Sequence, residues 1–185
     1  MAVGTDARRR MAGTHAAADA PAAGDLTAPG WPLGGARIII GFLWFQQLLW
    51  KLPPDFGCGP ARDQGLCDWL GREIENPLIP LYAQFVQGII LPNLSILGWF
   101  IWLMEAAIAA SLLFGLLTRL GGLLGFAQGL NLLIGLAAVP HEWYWTYLML
   151  ALLCLLFALT GAGRWLGVDR FLLPRVRGTL LERLL

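Results

Sequence analysis

Charge is the scarcest property of this 185-residue chain: Asp, Glu, Lys and Arg together make up 14% of it, against about 25% in a soluble domain. Motifs that carry much soluble chemistry are missing too. No His, Cys and Asp cluster has metal-site spacing. No glycine-rich loop is set to cradle a phosphate, and no Gly-x-Ser-x-Gly element presents a nucleophile. The net charge of +1 supplies no field to draw nucleic acid or acidic partners. What fills the chain is apolar: hydrophobic residues are 57% and mean hydropathy is +0.63. One domain of this size has too little interior to bury so much apolar surface. The balance excludes an ordinary cytosolic enzyme, a nucleic-acid-binding module and a disordered regulator. It points to an all-α membrane protein with the lipid bilayer as a partner.

Residues 1–30 stand apart, rich in Ala, Gly, Asp and Pro around Arg8, Arg9 and Arg10. With no apolar run behind the arginines they do not read as a secretory signal, but as a disordered cytoplasmic tail. Residues 31–169 form the expected transmembrane domain. Its apolar runs are 33–52, 94–117, 120–139 and 143–160. Each is long enough to cross about 30 Å of hydrocarbon as a helix, which predicts a four-helix bundle. With four spans, Arg37, Arg119, Arg164 and the basic residues of both termini share one side. The other side keeps only Lys51, Arg62 and Arg72. This split of ten against three puts both termini in the cytoplasm.

Two shorter segments read as interfacial helices. In the outer loop 53–93, the stretch 78–93 is bracketed by Pro77, Pro80 and Pro92. Its apolar residues, Tyr82 among them, fall at helical spacing, the pattern of a helix lying in the outer interface. Residues 170–185 place Leu173, Val176, Leu180 and Leu184 on one stripe, with Arg175, Arg177 and Arg183 off it. They read as a cytoplasmic helix anchored to anionic lipid.

The residue most pointedly out of place is Glu105, inside the second run. An ionisable group at that depth costs at least about 2.5 kcal/mol unless paired, protonated or wetted. It is either a proton carrier or substrate ligand, or a protonated carboxyl joining helices. Counting residues from the outer ends brings Gln46, Gln47, Gln128 and Asn131 to similar depth, with Gln128 and Asn131 on one face of their helix. Together they predict a polar pocket in the outer half of the bundle, or interhelical hydrogen bonding. Lys51, and His141 beside Glu142 on an outer turn, would form its mouth. His141 is a second candidate proton carrier; Lys51 reads alternatively as a snorkelling anchor and His141 as a solvated turn residue. Cys58 and Cys67, separated by eight residues in the outer loop, are a disulfide candidate, and Cys154 a packing residue.

Three passages carry a family resemblance. They are Gly35-Ala36-Arg37 through Trp44 to Lys51, the turn Gly115-Leu116-Leu117-Thr118-Arg119, and the ending Gly161-Ala162-Gly163-Arg164 to Asp169-Arg170. Over about residues 33–172 this order resembles the DoxX/DoxD family of small four-span bacterial and archaeal membrane proteins. The DoxD branch includes the membrane subunit of thiosulfate:quinone oxidoreductase. The resemblance implies a plasma-membrane (inner-membrane) subunit passing electrons from thiosulfate or a thiol or sulfur donor to membrane quinone, alongside other protein subunits. Quinone is then a mobile substrate, and no bound cofactor is expected. Arg119, Arg164 and Asp169 read as structural. Two further readings stay open: an accessory subunit of a larger respiratory or photosynthetic complex, and a small oxyanion transporter.

Overall fold

Proline, glycine and one carboxylate set the ends of the main helices. The computed structural model describes residues 30–59, 65–176, 178, 179, 181, 184 and 185. The expected tail before residue 30, Arg62, Arg177, Leu180 and Arg183 lie outside the described residues. Among the described residues the chain is all-helical, with no strand. Helix α1 runs Trp31–Leu49 and opens with Pro32 in its first turn, where a missing N–H costs nothing. After a loop come α2, Leu66–Glu75, and α3, Pro80–Phe85. The remaining helices are α4, Leu94–Phe114, α5, Thr118–Leu136, α6, Tyr144–Thr160, and the short α7, Asp169–Leu172. Gly115 and Gly161 end α4 and α6 in the left-handed conformation, with φ of 65° and 60°, which a residue without Cβ adopts freely.

Segment 78–93 is not a separate interfacial helix. Residues Pro80–Phe114 are one helical run of 35 residues. A π-helical turn, Val86–Ile90, and a 3-10 turn, Leu91–Asn93, splice α3 onto α4. The change of hydrogen-bond register accommodates Pro92, and the Asn93 amide donates to Ile89 O at 2.8 Å. Residues 170–185 likewise do not make one amphipathic helix. After the single turn of α7, a 3-10 turn covers Leu173–Arg175. Pro174, which lacks a helix donor, and Gly178 at φ 79° interrupt the pattern.

Helix α1 packs along α4 and α5 along α6, and α4 joins the two pairs. Where α5 meets α6, a Cβ on Gly122 would stand 2.7 Å from Cys154 O, and one on Gly129 would stand 2.9 Å from the Ala151 methyl. Small residues therefore let the two backbones approach. The shared core holds Ile40, Trp44 and Leu48 of α1, Ile108 and Leu112 of α4, and Cys154 and Phe157 of α6. A second cluster of Phe56, Leu66, Leu70 and Val86 seats α2 over one end of the bundle. There Cys58 and Cys67 form a disulfide, and Leu66 N donates to Phe56 O at 3.0 Å. Pro80–Phe114 and Thr118–Leu136 are long and apolar enough to cross a membrane; Tyr144–Thr160 is apolar but shorter.

Candidate functional site

A cavity of about 1000 Å³ opens at the α2 end, between α1, α2, the long helical run, α5 and α6. Aromatic and aliphatic side chains make most of its wall: Trp44, Trp50, Trp69, Trp143, Trp145 and Leu132 are among them. Its polar groups fall into clusters.

The first cluster is buried. Lys51, two residues past α1, extends its ammonium to the Glu105 carboxylate on α4 at 2.5 Å, with both side chains at most 5% exposed. The Gln128 amide on α5 donates to the other Glu105 oxygen at 3.3 Å. The Trp50 ring lies 4.6 Å from the Lys51 nitrogen, adding a cation–π contact. Two ions this deep persist because each neutralises the other and hydrogen bonds satisfy the carboxylate's second oxygen. Lys51 is thus not a snorkelling anchor: its charge turns inward.

The second cluster gathers Glu73, Tyr82 and Asn131. The Tyr82 hydroxyl lies 3.1 Å from the Asn131 carbonyl oxygen and 3.5 Å from a Glu73 oxygen. Glu73 follows Leu66 and Leu70 on the buried face of α2. Gly135 on α5 makes room for it; a Cβ there would come within 2.6 Å of the Glu73 carboxyl carbon. Burial pushes Glu73 from 4.5 up to about 7, against the opposing pull of the Tyr82 hydrogen bond. The folded value exceeds the unfolded one, so the protonated carboxyl favours the fold. Its contribution is complete below about pH 4.5 and is lost as pH rises through about 7. At 1.36 kcal/mol per pH unit this amounts to about 3 kcal/mol. Denaturant titrations across that window are expected to show the decline in the wild type, and a flatter profile in Glu73→Gln.

The mouth carries His141 and Glu142. The Tyr147 hydroxyl donates to Glu142 at 2.5 Å. His141 is exposed on a left-handed turn with φ 68° and lines the rim without joining either cluster. Of the residues expected in the pocket, Gln47, Lys51, Glu105, Gln128, Asn131 and His141 all line the cavity. Asn131 belongs to the Tyr82 cluster rather than to Glu105. Gln46 is a correction: it is exposed and off the cavity wall, because one residue turns it about 100° from Gln47. Glu73 and Tyr82 were not anticipated as site residues.

The opposite end of the bundle holds a different polar cluster. The Asp169 carboxylate accepts the backbone N–H of Leu117 at 2.8 Å and of Thr118 at 2.9 Å, capping α5 where Leu117 sits at φ 51°. Arg37, fully buried, donates to the carbonyls of Leu112 and Leu113 on α4, and of Trp165 and Leu166 beyond α6. Arg119 and Arg164 pack about the left-handed Gly161, where a Cβ would meet each Nε at 3.3 Å. These residues hold turns together and lie away from the cavity. Comparison of the chain with protein-family models, curated proteins and solved structures finds no match.

Proposed function

We propose that the chain is a four-span membrane protein with both termini cytoplasmic. In this reading it is a DoxD-like subunit of a bacterial or archaeal plasma membrane that binds the head of a membrane quinone in the cavity. The spanning reading is supported by α1, α4, α5 and α6, which at 17 to 21 residues extend about 25–32 Å. It is supported equally by the apolar girdle they turn outward. Phe100 is 65% exposed, Leu159 71% and Phe114 64%, a surface suited to lipid rather than water. The arginine-rich end then faces the cytoplasm and the cavity faces outward.

The observation that carries the quinone reading is the Lys51–Glu105–Gln128 cluster in an aromatic-walled cavity. A quinone is a flat, neutral ring with a carbonyl acceptor on each of two opposite edges. Trp44, Trp50 and Trp69 are among the aromatic side chains that line the cavity where such a ring would sit. Lys51 has three donors, of which Glu105 needs one, so an ammonium N–H is left to polarise a carbonyl oxygen. The Lys51–Glu105 pair, which holds one proton between ammonium and carboxylate, would pass it to that oxygen as electrons arrive and be reprotonated afterwards. The two electrons come from a thiosulfate, thiol or sulfur donor, brought by a partner subunit. The lining charges weigh against an oxyanion occupant. Lys51 is already paired, and Glu73 and Glu142 add negative charge.

The test uses purified protein in lipid nanodiscs. Duroquinone should quench the cavity tryptophans saturably, and a non-quenching quinol analogue should relieve the quenching by competition, while thiosulfate should not. Quenching that rises linearly with quinone, without saturation or competition, would remove the quinone reading and return the chain to the accessory-subunit alternative.

A further inference from the structure

We infer that Glu73 is a second proton-exchanging carboxyl of the cavity, serving the quinone oxygen that does not face Lys51 and Glu105, by way of the Tyr82 hydroxyl. The inference rests on the quinone reading above and extends it to a residue outside the bundle's own helices.

Proton balance calls for such a group. Reduction of a quinone takes two electrons and two protons, and each carbonyl oxygen becomes a hydroxyl. Oxidising two thiosulfates to tetrathionate forms one S–S bond and releases two electrons but no proton. With that donor, both protons must come from water through the protein. Two thiols joining as a disulfide release their protons at the donor's site, so the quinone again draws its own pair from groups beside it. The Lys51–Glu105 pair can supply one oxygen. The other oxygen lies across the ring and needs its own carrier.

The geometry places one there. Gln128, which holds Glu105, and Asn131, which faces Tyr82, are three residues apart on the same side of α5. Their rise along the helix is about 4.5 Å, which sets the two poles about one turn apart along the same wall. Both polar poles line the same cavity. Tyr82 is half-buried between Glu73 and Asn131. Its hydroxyl can pass a proton inward while taking one from Glu73. The carboxyl itself is 6% exposed and sits on α2, on the cavity wall. The value of about 7 that burial gives Glu73 suits a group that both takes and gives protons near neutrality. The charged and titratable groups around it are Tyr82 on the long run, Glu142 and Tyr147 at the α6 end, His141 and Lys51 across the cavity, and Arg72 on α2. Arg72 is engaged by Asp68 at 2.9 Å.

The experiment follows duroquinone binding to the full chain in nanodiscs by tryptophan quenching from pH 6 to pH 8, bracketing the Glu73 value of about 7. A quinone oxygen that accepts a hydrogen bond from the protonated relay loses it when Glu73 ionises. Wild-type affinity should therefore weaken as much as about tenfold over that range. Glu73→Gln, permanently neutral, should keep the low-pH affinity throughout. Glu75→Gln, at an exposed acid of α2 off the cavity wall, should retain the wild-type profile. Infrared difference spectra supply a second readout. A protonated-carboxyl band that disappears across the same pH range should be present in the wild type and missing from Glu73→Gln. If Glu73→Gln keeps the wild-type pH dependence, or keeps the titrating band, the inference is overturned while the quinone site stands. If the wild type does not bind duroquinone saturably at any pH, the parent reading fails and this inference with it.

Discussion

Lys51→Met is expected to lower the unfolding free energy by about 3–5 kcal/mol. The ammonium stands 2.5 Å from a carboxylate that is 1% exposed. Removing it leaves Glu105 with one neutral amide donor and no countercharge. A carboxylate so placed must either stay charged in an apolar surround or take up a proton, and both outcomes weaken the fold. The double variant Lys51→Met, Glu105→Leu removes both charges together and should recover most of the loss, to within about 1 kcal/mol. Denaturant titration of the single and double variants in the same detergent measures the coupling. If the single variant unfolded like the wild type, the pair would be ornamental. A double variant no better than the single would show that Lys51 acts through packing alone.

Asp169→Ala is expected to cost about 3–5 kcal/mol, since each charge-assisted hydrogen bond contributes about 1.5–3 kcal/mol and the carboxylate accepts two. It also provides the countercharge nearest the buried Arg37. Asp169→Asn should cost roughly half as much, because one amide oxygen can keep one of the two backbone donors while the amide N–H₂ opposes the other. Neither variant should change duroquinone affinity, because Asp169 lies at the far end of the bundle from the cavity. A loss of binding with unchanged stability would reverse the division drawn here between a structural end and a chemical end.

How much of this was legible in the sequence depended on whether a residue's role was local. The helices were readable because their apolar runs have the right length, and the tight turn at Thr118 interrupts them. Glu105 was readable because a carboxylate in an apolar run is anomalous wherever its partner lies. Lys51 was half-readable: its place at the end of a run fits an interface anchor equally well, and only the fold brings Glu105 to it. Glu73 had a signal that went unused, since Leu66, Leu70 and Glu73 recur at helical spacing and set the acid on an apolar face. Pro92 misled, because proline usually marks a break, and nothing local announces a π turn able to absorb it. Pro174 was overlooked in the opposite sense, and the helix expected across it does not form. Arg37 could be counted as a basic residue, but the four carbonyls that receive it come from distant stretches of chain.

That last arrangement bears on how the molecule is made. Arg37 is in the first of the described helices, and two of its acceptors, the carbonyls of Trp165 and Leu166, come more than 120 residues later. Until that stretch exists, a guanidinium in an otherwise apolar helix waits without its full set of acceptors. The α5 cap waits too, because Asp169 lies in the same late stretch. Closure of this end of the bundle therefore needs residues 165–169 to be in place. A chain that stopped short of residue 165 would lack two of the four carbonyls that receive Arg37 and the carboxylate that caps α5.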